Sequence, residues 1–138
     1  MEPLSITAGA CAIVGNIGTL MGTISTFVRQ VRDARVDLDA VSRELVSLKS
    51  ILEILAEDTA GSGANGLPES LTIQIQGIMS GCDDVIMQIT TILSKYDGNG
   101  LVGRSHWAIS GRGDIDKLRS SLEAHKSALN IALDMLSL

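Results

Sequence analysis

A chain of 138 residues with a net charge of −5 and an isoelectric point near 4.8 fits one domain. Its negative sign leaves no basic field for a nucleic-acid backbone. Hydrophobic residues make up 45% of it, yet Phe27, Tyr96 and Trp107 are its only aromatics, too few for the stacking platforms that bind single strands. Two prolines and few alternating β-branched runs argue against a sheet protein.

The first residues, Met1-Glu2-Pro3-Leu4, put an acid where a secretory leader needs positive charge. Ala8-Gly9-Ala10-Cys11 imitates a lipoprotein cleavage site, but without the basic start and long apolar run that precede one. The segment is therefore read as retained, in a cytoplasmic protein. From Pro3 to Val28 there are 26 residues without a charge, and about 20 apolar residues suffice to cross a bilayer as a helix. Leu4, Ile6, Ile13, Val14, Ile17, Leu20, Met21, Ile24, Phe27 and Val28 supply the apolar part. Ser, Thr, Asn and Gly residues interrupt them, which predicts a helix buried in a bundle rather than a constitutive membrane span. Gly18 and Gly22 stand four apart, a spacing that lets a second helix approach closely. In a soluble bundle that helix is a neighbour in the same chain.

Arg29, Arg32 and Arg35 follow at helical spacing. They suit anionic lipid headgroups at the end of an embedded helix. Asp33, Asp37 and Asp39 lie among them, so an ion-paired surface is the alternative. Leu38, Val41, Leu45, Leu48, Leu52 and Leu55 then step by 3, 4, 3, 4 and 3 residues, one stripe of an amphipathic helix. That helix is predicted to end near Asp58, before a Gly/Ser/Asn loop. Pro68 suits the first turn of a third helix, whose stripe is Leu71, Ile75, Ile78, Cys82, Val85, Ile89, Ile92 and Tyr96. Gly77 and Gly81 beside it would admit another helix. Turn-forming residues from Asp97 to Gly103 end it. A last helix is predicted from about Asp114, with Ile115, Leu118, Leu122, His125, Leu129, Ala132 and Leu136 as its stripe. Four such helices make an all-α, four-helix-type antiparallel bundle. Leu45, Leu48, Ile78, Cys82, Ile89, Leu122 and Leu129 are its predicted core. Cys11 and Cys82 are read as two buried thiols of a cytosolic protein rather than as a disulfide.

Several patterns imitate chemistry. Gly98-Asn99-Gly100-Leu101-Val102-Gly103, with Arg104-Ser105, matches phosphate-binding loops. It lacks the preceding strand and the helix opening at once behind it, so a helix connection is the better account. His106 and His125 have no second ligand at metal spacing, and Ser105-His106 adjacency makes no triad. Asp83 and Asp84 do not face each other on a helix, and solvation explains them. Trp107 is read as a lid over the end of the core. No catalytic residue, cofactor, metal or small-molecule substrate is expected.

The opening Met1-Glu2-Pro3-Leu4-Ser5-Ile6 with its small-residue apolar helix resembles the N-terminal domain of fungal STAND proteins. That family is also known as the HeLo-like N-terminal domain, or the azaphilone pigment cluster protein L N-terminal type. The stretch Leu38–Leu55, the Trp107-Ala108 element and the terminal helix Leu118–Leu138 are similar too, so the resemblance spans nearly the whole chain. One departure is Arg35, where members often place a Pro to break helix 1 from helix 2. The resemblance implies a single domain over residues 1–138, the N-terminal module of a longer NLR-like receptor. It further implies a non-enzymatic effector of programmed cell death that forms a homo-oligomer, signals to other domains and targets membrane on activation. The segment from Leu4 to Val28 would then insert, with Gly18 and Gly22 at helix contacts. An interaction adaptor whose first helix never leaves the core is the alternative.

Overall fold

The computed structural model describes residues 3–62, 67–96 and 107–136. Helix α1 runs Pro3–Gln30, a short 3-10 turn covers Arg32–Ala34, and α2 runs Arg35–Ser62. Helix α3 spans Glu69–Tyr96, a π-type turn covers Trp107–Gly111, and α4 is Arg112–Leu136. The described residues contain no strand; the molecule is an all-α bundle. Consecutive helices alternate in direction. In cross-section, however, α1 packs on α2 and α3 while α4 packs on those same two helices. The ring therefore reads α1–α2–α4–α3, and α2 and α3 sit on a diagonal. One consequence is that α1 and α3 run parallel, with Asn16 meeting Asp83 and Phe27 lying near Leu93.

The stripe of α2 behaves as its spacing predicts: all six residues from Leu38 to Leu55 are fully buried. The stripe of α3 is wider than one row. Leu71, Ile75, Cys82, Val85, Ile89 and Tyr96 are buried, but Ile78 and Ile92 are only partly so, and Met79, Ile86 and Leu93 take inner places. Helix α3 faces both α1 and α4, and its buried arc extends to either side of the single row. Ile78 is thus a flank residue and not core. On α4, Ile115, Leu122, Leu129 and Ala132 are buried, whereas Leu118, His125 and Leu136 line the edge.

Two boundaries differ from expectation. Helix α2 continues past Asp58 to Ser62, because Thr59 is buried and donates to the Leu55 carbonyl at 2.8 Å. Helix α4 begins at Arg112, two residues before Asp114. The break between α1 and α2 needs no proline. Val31 leaves the helical region with φ −119° and ψ 83°, and its N–H still donates to the Phe27 carbonyl at 2.8 Å. Val31 and Ala34 are both buried, so packing holds the corner. The cysteines also divide. Cys82 is buried as expected, while Cys11 is exposed. Burial, helped by Asp83, pushes the Cys82 thiol up to about 12.

Candidate functional site on the first helix

The uncharged stretch of α1 is two-faced. Ile6, Ala10, Ile13, Ile17, Leu20, Ile24 and Phe27 form the buried row, and Val14, Met21 and Val28 flank it half-buried against the core. The side chain of Leu4 lies outside the described residues. The opposite row is small and uncharged: Ala8, Cys11, Ala12, Gly15, Asn16, Gly18, Thr19, Gly22, Ser25 and Thr26 are all exposed. Gly18 and Gly22 belong to that outer row, and a Cβ on either would meet nothing within 4 Å. They therefore do not serve a neighbouring helix of the bundle. That job falls elsewhere: a Cβ on Gly81 would strike the His125 ring, so the close α3–α4 crossing needs this glycine.

Three threonine hydroxyls along this side are satisfied by the helix itself. Thr19, Thr23 and Thr26 donate to the carbonyls of Gly15, Thr19 and Gly22 at 3.3, 3.2 and 3.2 Å, the back-bonding that threonines adopt within helices. Side-chain bonds also hold α1 to its neighbours. Thr7 and Thr59 hydroxyls meet at 2.7 Å toward α2, and Asn16 Nδ2 donates to Asp83 at 3.0 Å toward α3.

At the C-terminal end of α1 the three aromatics converge. The Trp107 ring, fully buried, lies 5.2 Å from Phe27 and 6.0 Å from Tyr96, edge-on to the latter at 88°. Its indole Nε1 donates to Asp37 of α2 at 3.2 Å, and the same carboxylate pairs with Arg112 of α4 at 3.0 Å. Gly111 fits beneath: a Cβ there would sit 2.6 Å from the indole ring. Trp107 is thus a lid touching residues of α1, α2 and α3, as its position in the sequence suggested. The Asp37 acceptor carries no sequence signal. Asp37 lies on the partly exposed flank of α2, and its two partners are 70 and 75 residues away.

Arg29, Arg32 and Arg35 are exposed at the same end and form no ion pair among the described residues. Asp37, the acid that could have neutralised them, is already engaged. His125 Nδ1 pairs with the Ser121 carbonyl at 2.7 Å beside the α3–α4 crossing. The glycine loop 98–103, with Arg104, Ser105 and His106, lies outside the described residues. Among the described residues no three His, Cys, Asp or Glu side chains gather where a metal could sit.

No curated protein matches the chain, and no solved structure does. One family model covers residues 1–138, that of the pigment biosynthesis cluster protein PigL N-terminal region. With a helical bundle over the same residues, the chain belongs to the PigL N-terminal domain family.

Proposed function

We propose that this domain is a non-enzymatic effector that acts when copies are clustered, by releasing α1 from the bundle and passing it into a membrane. The observation that carries the reading is the outer face of α1. A helix retained only for packing has no need of an uncharged solvent face, since charges there would improve solubility. Helix α1 has an apolar stretch of 25 residues, Ile6–Gln30, with mean hydropathy 1.5, and only 28% of its most apolar window is buried. At about 1.5 Å per residue it is long enough to span the roughly 30 Å hydrocarbon layer. The hydroxyls of Thr19, Thr23 and Thr26 already have partners within the helix, so these three would enter hydrocarbon without stranded donors.

The STAND-type setting, a homo-oligomer and cytoplasmic residence before activation belong to the same proposal. They come from the resemblance to HeLo-like domains. In this scheme Arg29, Arg32 and Arg35 would lie at the interface, near anionic headgroups, while Gly18 and Gly22 would let inserted helices pack.

The test is a fusion of the domain to an inducible oligomeriser. Clustered wild-type protein should move to anionic liposomes and release their dye. Thr19→Lys, at an exposed site, should leave folding intact and suppress leakage, because a charge at mid-helix is costly in a bilayer. Clustered protein that stays in solution over intact liposomes would sink the membrane reading. The adaptor reading would then take over, and one observation favours it. An open, largely apolar groove of about 550 Å³ separates α3 from α4, lined by Gly77, Ile78, Ala124, Ala128, Ile131 and Met135. Such a groove accepts an amphipathic helix.

A further inference from the structure

We infer that the corner between α1 and α2 is a binding site for a clustered-phosphate anion, a compound bearing two or more phosphate monoesters close together. The site spans both helices. A groove of about 800 Å³ opens there, with Arg29 contributed by α1, Arg32 by the 3-10 turn and Arg35 by α2. Ser25 and Ser42 add hydroxyls, Met21, Ile24 and Val28 give an apolar floor, and Asp39 is the single acid in the lining. The lining is therefore cationic, with three guanidiniums against one carboxylate, in a chain whose net charge is −5.

The charge is also unspent. Elsewhere Arg112 pairs with Asp37, Arg119 with Asp116 and Glu123, and Lys126 with Glu44 at 2.8 Å, while Arg43, Lys49 and Lys117 are unpaired among the described residues but stand outside this groove. The corner arginines have acids close in sequence and pair with none of them. Asp37 is drawn away by Trp107 and Arg112. Guanidinium groups bind phosphate oxygens bidentately. Three of them around an opening this wide exceed what a single phosphate requires, and suit several phosphates on one small scaffold. A soluble inositol phosphate and the headgroup of a phosphorylated inositol lipid share that chemistry.

Binding here depends on the seated bundle and not on release of α1, so it stands apart from the membrane reading. The experiment uses the unclustered full chain. Inositol trisphosphate is titrated calorimetrically, and flotation is measured with phosphatidylcholine vesicles carrying phosphatidylinositol bisphosphate or, at matched charge, phosphatidylserine. Each of Arg29→Gln, Arg32→Gln and Arg35→Gln should weaken binding about tenfold, the effect of losing one hydrogen bond to a charged group. Lys117→Gln, which removes an exposed cation from α4, should change it less than about twofold, as a remote rim charge does. Binding of the trisphosphate in solution assigns a free phosphate ester. Binding of the bisphosphate vesicles alone assigns a lipid headgroup. Either supports the site. Binding of neither probe, phosphatidylserine binding equal to bisphosphate binding, or an equal loss from Lys117→Gln overturns it. Amide exchange tests the bridge: the bound probe should slow exchange in both Met21–Gln30 and Arg35–Ser42. Protection confined to one of these helices overturns a site built across both. Loss of liposome leakage with this binding intact would sink the membrane proposal alone.

Discussion

Asp37 illustrates how much one partly exposed side chain can organise. It accepts from the indole of a fully buried Trp107 and from Arg112 at once, so it ties α2 to the lid and to the start of α4. Asp37→Ala leaves the indole N–H buried without an acceptor, a loss of about 1–3 kcal/mol, which urea denaturation would register. A change below half of that would mean water replaces the carboxylate. Cys82 offers a test in pH. Its ordinary value is 9.0, and burial raises it to about 12 in the fold. Above pH 9 the unfolded thiol loses its proton while the folded one keeps it, so the native state binds more protons there. Stability must then fall as pH rises from about 9 toward 12, by at most about 1.4 kcal/mol per pH unit. Below pH 9 the thiol contributes no pH dependence. Cys82→Ala should flatten that part of the curve, measured as the difference from wild type so that lysines and tyrosine cancel. An identical slope in both proteins would refute the assignment.

At the scale of the helix, α1 is built against its own propensity. Gly18 and Gly22 face open space, and glycine within a helix is about 1 kcal/mol less favourable than alanine. Gly18→Ala and Gly22→Ala should each raise stability by about 0.4–1 kcal/mol, seen as a higher unfolding midpoint in thermal melts. If either variant is less stable, its outer position is wrong. The direction is informative because the natural chain has forgone an easily gained stabilisation. In the proposed mechanism those glycines matter for packing after release. The helices themselves were legible in sequence. The period-3.6 stripe names six buried residues of α2, from Leu38 to Leu55, and leaves out Ile51 and Thr59, which are buried beside them. On α3 the stripe includes Ile78 and Ile92, which are only partly buried, and omits Met79, Ile86 and Leu93, because periodicity alone does not fix how far the buried arc extends to either side of a row. Thr59 was missed for a related reason. A lone hydroxyl amid acidic residues reads as surface, and its burial follows from Thr7 across the pair. The outward position of Gly18 and Gly22 was not legible either, since glycines carry no apolar signal to set their face.

Across the molecule, the order α1–α2–α4–α3 segregates charge. Helices α1 and α3, side by side, carry only Arg29 and Glu69, Asp83, Asp84 and Lys95, whereas α2 and α4 hold most of the ionised residues. One flank of the bundle is salt-laced and the other is nearly neutral, and the neutral flank contains the helix proposed to leave. Release can be prevented by a covalent tether. The Thr7 and Thr59 hydroxyls touch at 2.7 Å, so Thr7→Cys with Thr59→Cys, in a Cys11→Ser background, should form a disulfide between α1 and α2. The oxidised, clustered protein should leave liposomes intact, and reduction should restore leakage. Equal leakage in both states would show that α1 stays in place while the domain acts.

The chain has a single tryptophan, and its ring rests against Phe27 at the end of α1. The domain therefore carries an intrinsic optical gauge of that helix. While α1 is seated, the indole emits from a dry pocket, with Tyr96 close enough to feed it excitation energy. Departure of α1 strips Phe27 from one side and admits water, so emission should shift to the red without any attached dye. The seating and unseating of the first helix can thus be timed in a stopped-flow cuvette on the unlabelled natural chain.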